Sequence, residues 1–248
     1  MKKTFLTVGA IVFWLIVWQL CAVLVGKSLL LPSPLEVIER LVQLVPEKNF
    51  WDSILFSGSK IMLGFLLGTA AGTALAVPAG KLTFFEKLFS PLLTTVKAIP
   101  VASFTILALM WISSADLSVL ITFLIALPVA YSNIFEGIRS LDPKLTVMAK
   151  VFRVKPFRRF VGVYLSQLLP YFRSAVRLAI GLCWKSGAAA EVIGTPRGSI
   201  GEKLYNSKIY LETADLFAWT LVIIILSIIT EKVFLLLVDL IVRRIEKL

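Results

Sequence analysis

The chain contains no histidine, which removes the commonest metal ligand and the usual base near neutral pH. Its chemistry-bearing residues are charges set inside apolar runs: Lys97, Arg177, Lys185 and Glu191. Such charges are costly in hydrocarbon, so they mark a pathway, a partner or an ion pair by default. Arg177 and Lys185 are eight residues apart and fall on one helix face. The three cations suit an anionic solute, and Glu191 argues the other way. The blander reading of Arg177 is a side chain that snorkels to the membrane surface. Lys97 lies between Pro91 and Pro100. Each proline removes a helix hydrogen bond, so a break is expected between Ala98 and Pro100. The candidate pathway residues are therefore Lys97, Pro100, Arg177, Lys185 and Glu191. Cys21 and Cys183 sit in apolar runs without a pairing framework and are expected to be inert. The tripeptide Gly26-Lys27-Ser28 ends like a phosphate-binding loop, but the first glycine of that motif falls on Cys21, so no nucleotide site is expected.

These residues need a membrane body to position them. The 248 residues are 58% hydrophobic and 17% charged, with a mean hydropathy of +0.89, beyond the range of ordinary soluble domains. A crossing helix needs roughly 20 apolar residues. Six segments qualify: 5–26, 54–79, 88–112, 117–138, 168–193 and 211–230. The first is too long for a signal peptide and lacks a small-residue cleavage site, so it reads as a retained helix. If the N-terminus is cytoplasmic, the loops on that side carry fifteen Lys and Arg and the other side six. That split places both termini in the cytoplasm. It also assigns the net charge of +11 to topology rather than to nucleic acid. In the second span Gly64, Gly68 and Gly72 recur every fourth residue, the spacing of a close-packing helix face.

One stretch breaks the apolar pattern. Between the fourth and fifth spans, Lys144, Lys150, Arg153, Lys155, Arg158 and Arg159 face a single acid, Asp142. Asp142-Pro143 reads as an N-cap followed by a proline at the first helical position. Leu145, Met148, Val151 and Phe152 then recur at helical spacing. Pro156 disfavours helix at Lys155, so a turn over 153–155 should start a second helix. A helical hairpin results, basic on one side and apolar on the other. It is either a topology signal that touches headgroups or an element that docks in a partner's groove.

The order of several motifs resembles a known family. LPSPLEVI (31–38), the glycine stripe, KAIPVASFTILALMW (97–111), GIRSLDPKL (137–145), LPYFRSAVRLAIG (169–181), WKSGAAAEVIG (184–194) and the turn Ser199-Ile200-Gly201 occur in sequence. Together they resemble the permease subunits of bacterial ATP-binding-cassette importers, in the nitrate, sulfonate, taurine and bicarbonate branch. The resemblance implies an all-α type I fold with six transmembrane helices and a cytoplasmic coupling hairpin over 139–167. It divides the chain into a first helix with its external loop (1–50), a core of five helices (51–240) and a basic tail (241–248). In this family a Glu-Ala-Ala, three residues, Gly, nine residues, Ile or Val pattern contacts the ATPase. Here it falls on Val147, Met148, Ala149, Arg153 and Val163, so the Glu and the Gly are missing. The ATPase-contacting residues implied are Leu145, Met148, Ala149, Phe152, Arg153 and Val154. The resemblance further implies a separate ATPase subunit that binds ATP and Mg, a second permease copy, an external solute-binding protein and a place in the bacterial inner membrane. This chain itself would carry no cofactor, metal or catalytic residue. The competing readings are an ion-coupled secondary transporter, against which stands the lack of an internal repeat, and a membrane scaffold that binds anionic lipid.

Overall fold

The computed structural model describes the backbone of residues 2–246 and the side chains of 6–149 and 151–243. The side chains of Lys2, Lys3, Lys150, Arg244 and Lys247, counted in the charge split, lie outside the described residues. Among the described residues the chain is all helix: α1 (Lys2–Val25), α2 (Pro34–Leu44), α3 (Lys48–Lys81), α4 (Thr83–Ala98), α5 (Val101–Ala108), α6 (Leu117–Arg139), α7 (Pro143–Val151), α8 (Pro156–Arg159), α9 (Ser166–Gly194), α10 (Ile200–Ile209) and α11 (Thr213–Glu246). The helices α1, α3, α6 and α11 are long and apolar enough to cross a membrane, and the α4–α5 pair makes a fifth candidate. At 29 residues α9 is also long enough, although Arg173, Arg177, Lys185 and Glu191 dilute its apolar character. By length alone it would be a sixth candidate.

The expected break at Pro100 is sharp. Ile99 is extended and the helix breaks there, because Pro100 carries no N–H to continue the ladder; α5 departs from α4 at 95°. Two short helices, α2 and α10, fall where the sequence reading had only loops. α2 opens on a capping box, in which the Ser33 hydroxyl accepts from the Glu36 N–H and Glu36 bonds back to Ser33. Val37 and Leu44 bury one side of α2, and Arg40 pins it to Asp215 at the start of α11. The Asp215 hydrogen bond raises the Arg40 guanidinium further above its already high value. At the other end, α11 runs unbroken through residue 240, so the tail set apart at 241 continues that helix.

The body is organised around α3, α6 and α9. Gly64, Gly68 and Gly72 of α3 lie against α6 so closely that side chains there are excluded. A Cβ on Gly64 would stand 1.9 Å from Thr122 Oγ1, and one on Gly72 would stand 2.3 Å from the Leu127 carbonyl. Backbone approach of this kind supplies dispersion contact that lipid cannot match. On the far side of α3, Phe65 packs edge-on to Phe234 of α11, centroids 5.2 Å apart. The buried Trp184 of α9 donates to Thr230 Oγ1 at 2.8 Å, which ties α9 to α11.

Candidate functional site

The basic stretch folds as a hairpin. The Asp142 carboxylate accepts from the Lys144 N–H at 2.8 Å and caps α7. At the other end of α7, Arg153 takes a left-handed φ of +50°. The Val154 N–H reaches back to the Ala149 carbonyl at 3.0 Å, the closure of a Schellman turn. The turn therefore forms without the glycine that normally relieves this conformation. Leu145, Met148, Phe152 and Arg153 are exposed, Phe152 by 74%. Val154 is half-buried. Ala149 is turned inward at 3% exposure, and α7 packs on the segment Phe160–Leu165. The outward apolar surface of α7 thus includes Leu145, Val147, Met148 and Val151, with Phe152 just beyond its end, while Ala149 faces inward.

The second arm does not end at the membrane surface. After α8 the backbone stays right-handed helical through a π-helical turn at Phe160–Leu165 and passes into α9. From Phe157 to Lys185 the rise is about 42 Å at 1.5 Å per residue. One nearly continuous rod joins the exposed hairpin to the charges inside the membrane.

One face of α9 is open along most of its length: Pro170, Ser174, Arg177, Gly181, Lys185 and Ala189. Arg177 on this face bonds Glu231 of α11 at 3.0 Å, so its charge is met within the chain rather than at the membrane surface alone. Arg173, one turn nearer the hairpin, pairs with Asp239. Lys185 is exposed and has no hydrogen bond or ion pair among the described residues. It lines a mostly apolar groove of about 470 Å³ between α9 and α11, with Trp184, Thr220 and Ser227 in its walls. Lys97, on α4 just before the Pro100 break, donates to Ser132 Oγ of α6 at 2.7 Å. Pro100 is exposed at that break.

Glu191 is differently placed. It is 0% exposed, enclosed where α9 meets α3 and α10 instead of on the open face. Its Oε2 accepts from Ser57 Oγ at 2.6 Å and from the Gly201 N–H at 3.3 Å. Ser57 Oγ in turn accepts from the Ile200 N–H at 2.9 Å. The first turn of α10 is thus held by a serine of α3 and a carboxylate of α9. These partners were not read from the sequence; the only local signal was a serine, Ser199, poised to cap α10. Among the described residues no cluster of His, Cys, Asp and Glu could hold a metal ion.

Comparison with known proteins agrees with this architecture. The family model described as "Binding-protein-dependent transport system inner membrane component" matches residues 62–247. The aliphatic sulfonates transport permease protein SsuC of Bacillus subtilis is 27% identical over 218 residues, covering 87% of this chain and 79% of that protein. The nitrate import permease protein NrtB of Synechocystis is 26% identical, covering 82% and 78%. The taurine transport system permease protein TauC of Escherichia coli is 24% identical over 238 residues, covering 93% and 86%. Among solved structures, the chain is similar in fold to one described as an amino acid ABC transporter with histidines. The TM-score is 0.59 at 16% identity, covering 83% of this chain and 97% of that one. A match over most of the chain, on a body of apolar helices with this fold, means that the protein belongs to the family of inner-membrane permease components of binding-protein-dependent ABC importers.

Proposed function

We propose that this permease forms half of a solute pathway in the bacterial inner membrane and couples it to an ATPase bound at the 139–167 hairpin. The observation that carries this reading is the continuity of the hairpin with α9. A push at Met148 and Phe152 reaches the second arm through the packing of α7 on Phe160–Leu165, and α9 continues from there to the open face of Arg177 and Lys185. ATP and Mg belong to the separate ATPase subunit. A second copy of the chain closes the pathway, and an external binding protein delivers a small solute bearing an anionic group. Both termini lie in the cytoplasm, on the side of the fifteen basic loop residues. Within the pathway, Lys185 offers its unpaired ammonium to the solute or to the second copy. Lys97 and Pro100 stand at the bend that flanks it.

Pull-down of the ATPase subunit from detergent-solubilised membranes tests the coupling. Phe152→Asp places a charge where an apolar contact is expected, at a cost of several kcal/mol when no partner compensates. It should release the ATPase while the permease stays inserted. Lys144→Gln should leave binding intact, because a solvated charge contributes at most about 1 kcal/mol. If Phe152→Asp retains full ATPase binding and transport, the hairpin is a topology signal only. Ala149→Asp is a poorer probe, since its buried position means that it would unfold the hairpin.

A further inference from the structure

Towards the cytoplasmic end of the body, α6 and α9 part to leave a groove of about 520 Å³ lined by Ser132, Asn133, Glu136, Pro170, Tyr171 and Ser174. That volume suits a small-molecule site, and five of the six lining residues carry polar side chains. Some of these polar groups are already engaged: the Tyr171 hydroxyl is hydrogen-bonded to Ser140 Oγ at 2.7 Å. Asn133 gives its side-chain N–H to the Val129 carbonyl at 2.9 Å, leaving its Oδ1 as an acceptor. Glu136 has no ion pair or side-chain hydrogen bond among the described residues. Arg139, three residues on, stands at a spacing that would allow pairing. Its guanidinium goes instead to Glu86 at 2.8 Å and over the Phe135 ring at 4.8 Å. One turn further out, Ser132 holds the Lys97 ammonium. Ser132 and Glu136 share a face of α6, so a cation and an anion stand at levels about 6 Å apart along the helix without an ion pair between them.

We propose that this groove, within the importer reading above, is a solute subsite for a small zwitterion. The ammonium end is received by Glu136 and the Asn133 Oδ1. The anionic end, a sulfonate or carboxylate, is received by Lys97 and the Ser132 hydroxyl. A bare oxyanion would face the unpaired carboxylate of Glu136, and a bare amine would face Lys97. A solute carrying both charges satisfies both groups, which the fold otherwise leaves apart.

The test is equilibrium binding of labelled taurine, β-alanine and ethanesulfonate to the solubilised permease–ATPase complex without binding protein. Ethanesulfonate differs from taurine only in lacking the amino group. Taurine or β-alanine should bind more tightly than ethanesulfonate. Glu136→Gln should weaken the zwitterion at least tenfold and leave ethanesulfonate unchanged or improved. Lys97→Met should weaken both sulfonates. Equal binding of taurine and ethanesulfonate, an unchanged zwitterion affinity in Glu136→Gln, or binding of none of the three overturns the subsite. The ATPase recovered in the same preparation separates the two readings. Its absence from the wild-type complex refutes the importer reading, whereas its presence with unaltered zwitterion binding refutes the subsite alone.

Discussion

Glu191→Ala should be among the most damaging single changes in the membrane body, and its cost can be worked from the contacts. The substitution strips the acceptor from the Ser57 hydroxyl and from the Gly201 N–H. Each buried donor left without a partner costs about 1–3 kcal/mol, and the vacated volume adds about 1 kcal/mol or more. The sum is about 3–7 kcal/mol. For chains of about 150–250 residues 1 kcal/mol moves a melting midpoint by about 2–4 °C, so the loss should be on the order of 10 °C. Glu191→Gln keeps an acceptor oxygen for the same donors and should cost about 1 kcal/mol, the charge-assisted part of the bonds. Gly201→Ala approaches the same joint from the other side, since a Cβ would stand 2.3 Å from Glu191 Cβ and 2.4 Å from its carbonyl carbon. Thermal melting of the solubilised permease, followed by tryptophan fluorescence, ranks the variants. If Glu191→Ala melts within 2 °C (about 1 kcal/mol) of wild type, or Glu191→Gln falls as far as Glu191→Ala, the clamp is not what holds α10.

Two further changes probe the rod and its turn. Lys185→Leu should leave the complex assembled but raise the solute concentration for half-maximal uptake in proteoliposomes. The expected shift is about tenfold or more, from a charge-assisted bond worth about 1.5–3 kcal/mol; unchanged uptake and coupling would make Lys185 peripheral. Arg153→Gly relieves a left-handed residue that costs about 1–2 kcal/mol, so the hairpin should be cleaved by chymotrypsin about fivefold more slowly, and faster cleavage would contradict the turn geometry.

What could be read from the sequence was local. The break at Pro100 follows from one missing N–H, and the hairpin follows from Asp142-Pro143 and Pro156, signals that act within a few residues of themselves. The 95° angle between α4 and α5 does not, because it is set by what the two segments pack against. Ala149 shows the same limit. It belongs to an apolar helix surface that has two sides, and only the path of the second arm decides which side is inward. Glu191 looked like a pathway charge because its partners lie 134 residues back, at Ser57, and ten residues on, at Gly201. Arg177 finds Glu231 only once α11 is folded against α9.

The ordering of the helices explains why the least apolar span lies at the centre of the body. Only 6% of the apolar stretch of α1 or of α11 is buried inside the protein, against 50% for α6. In water the most hydrophobic helix would be the most buried, but lipid tails are as apolar as leucine, so hydrophobicity no longer drives a helix inward. Polar groups do, because each needs a partner that hydrocarbon cannot offer. α9 carries four charges, and three of them find partners on its neighbours: Arg173 with Asp239, Arg177 with Glu231, and Glu191 with Ser57 and Gly201. Those pairings tie it to α3, α10 and α11, while none of them reaches α6, against which it also packs. Lys185 is the charge they leave over, on the face that the other helices do not cover.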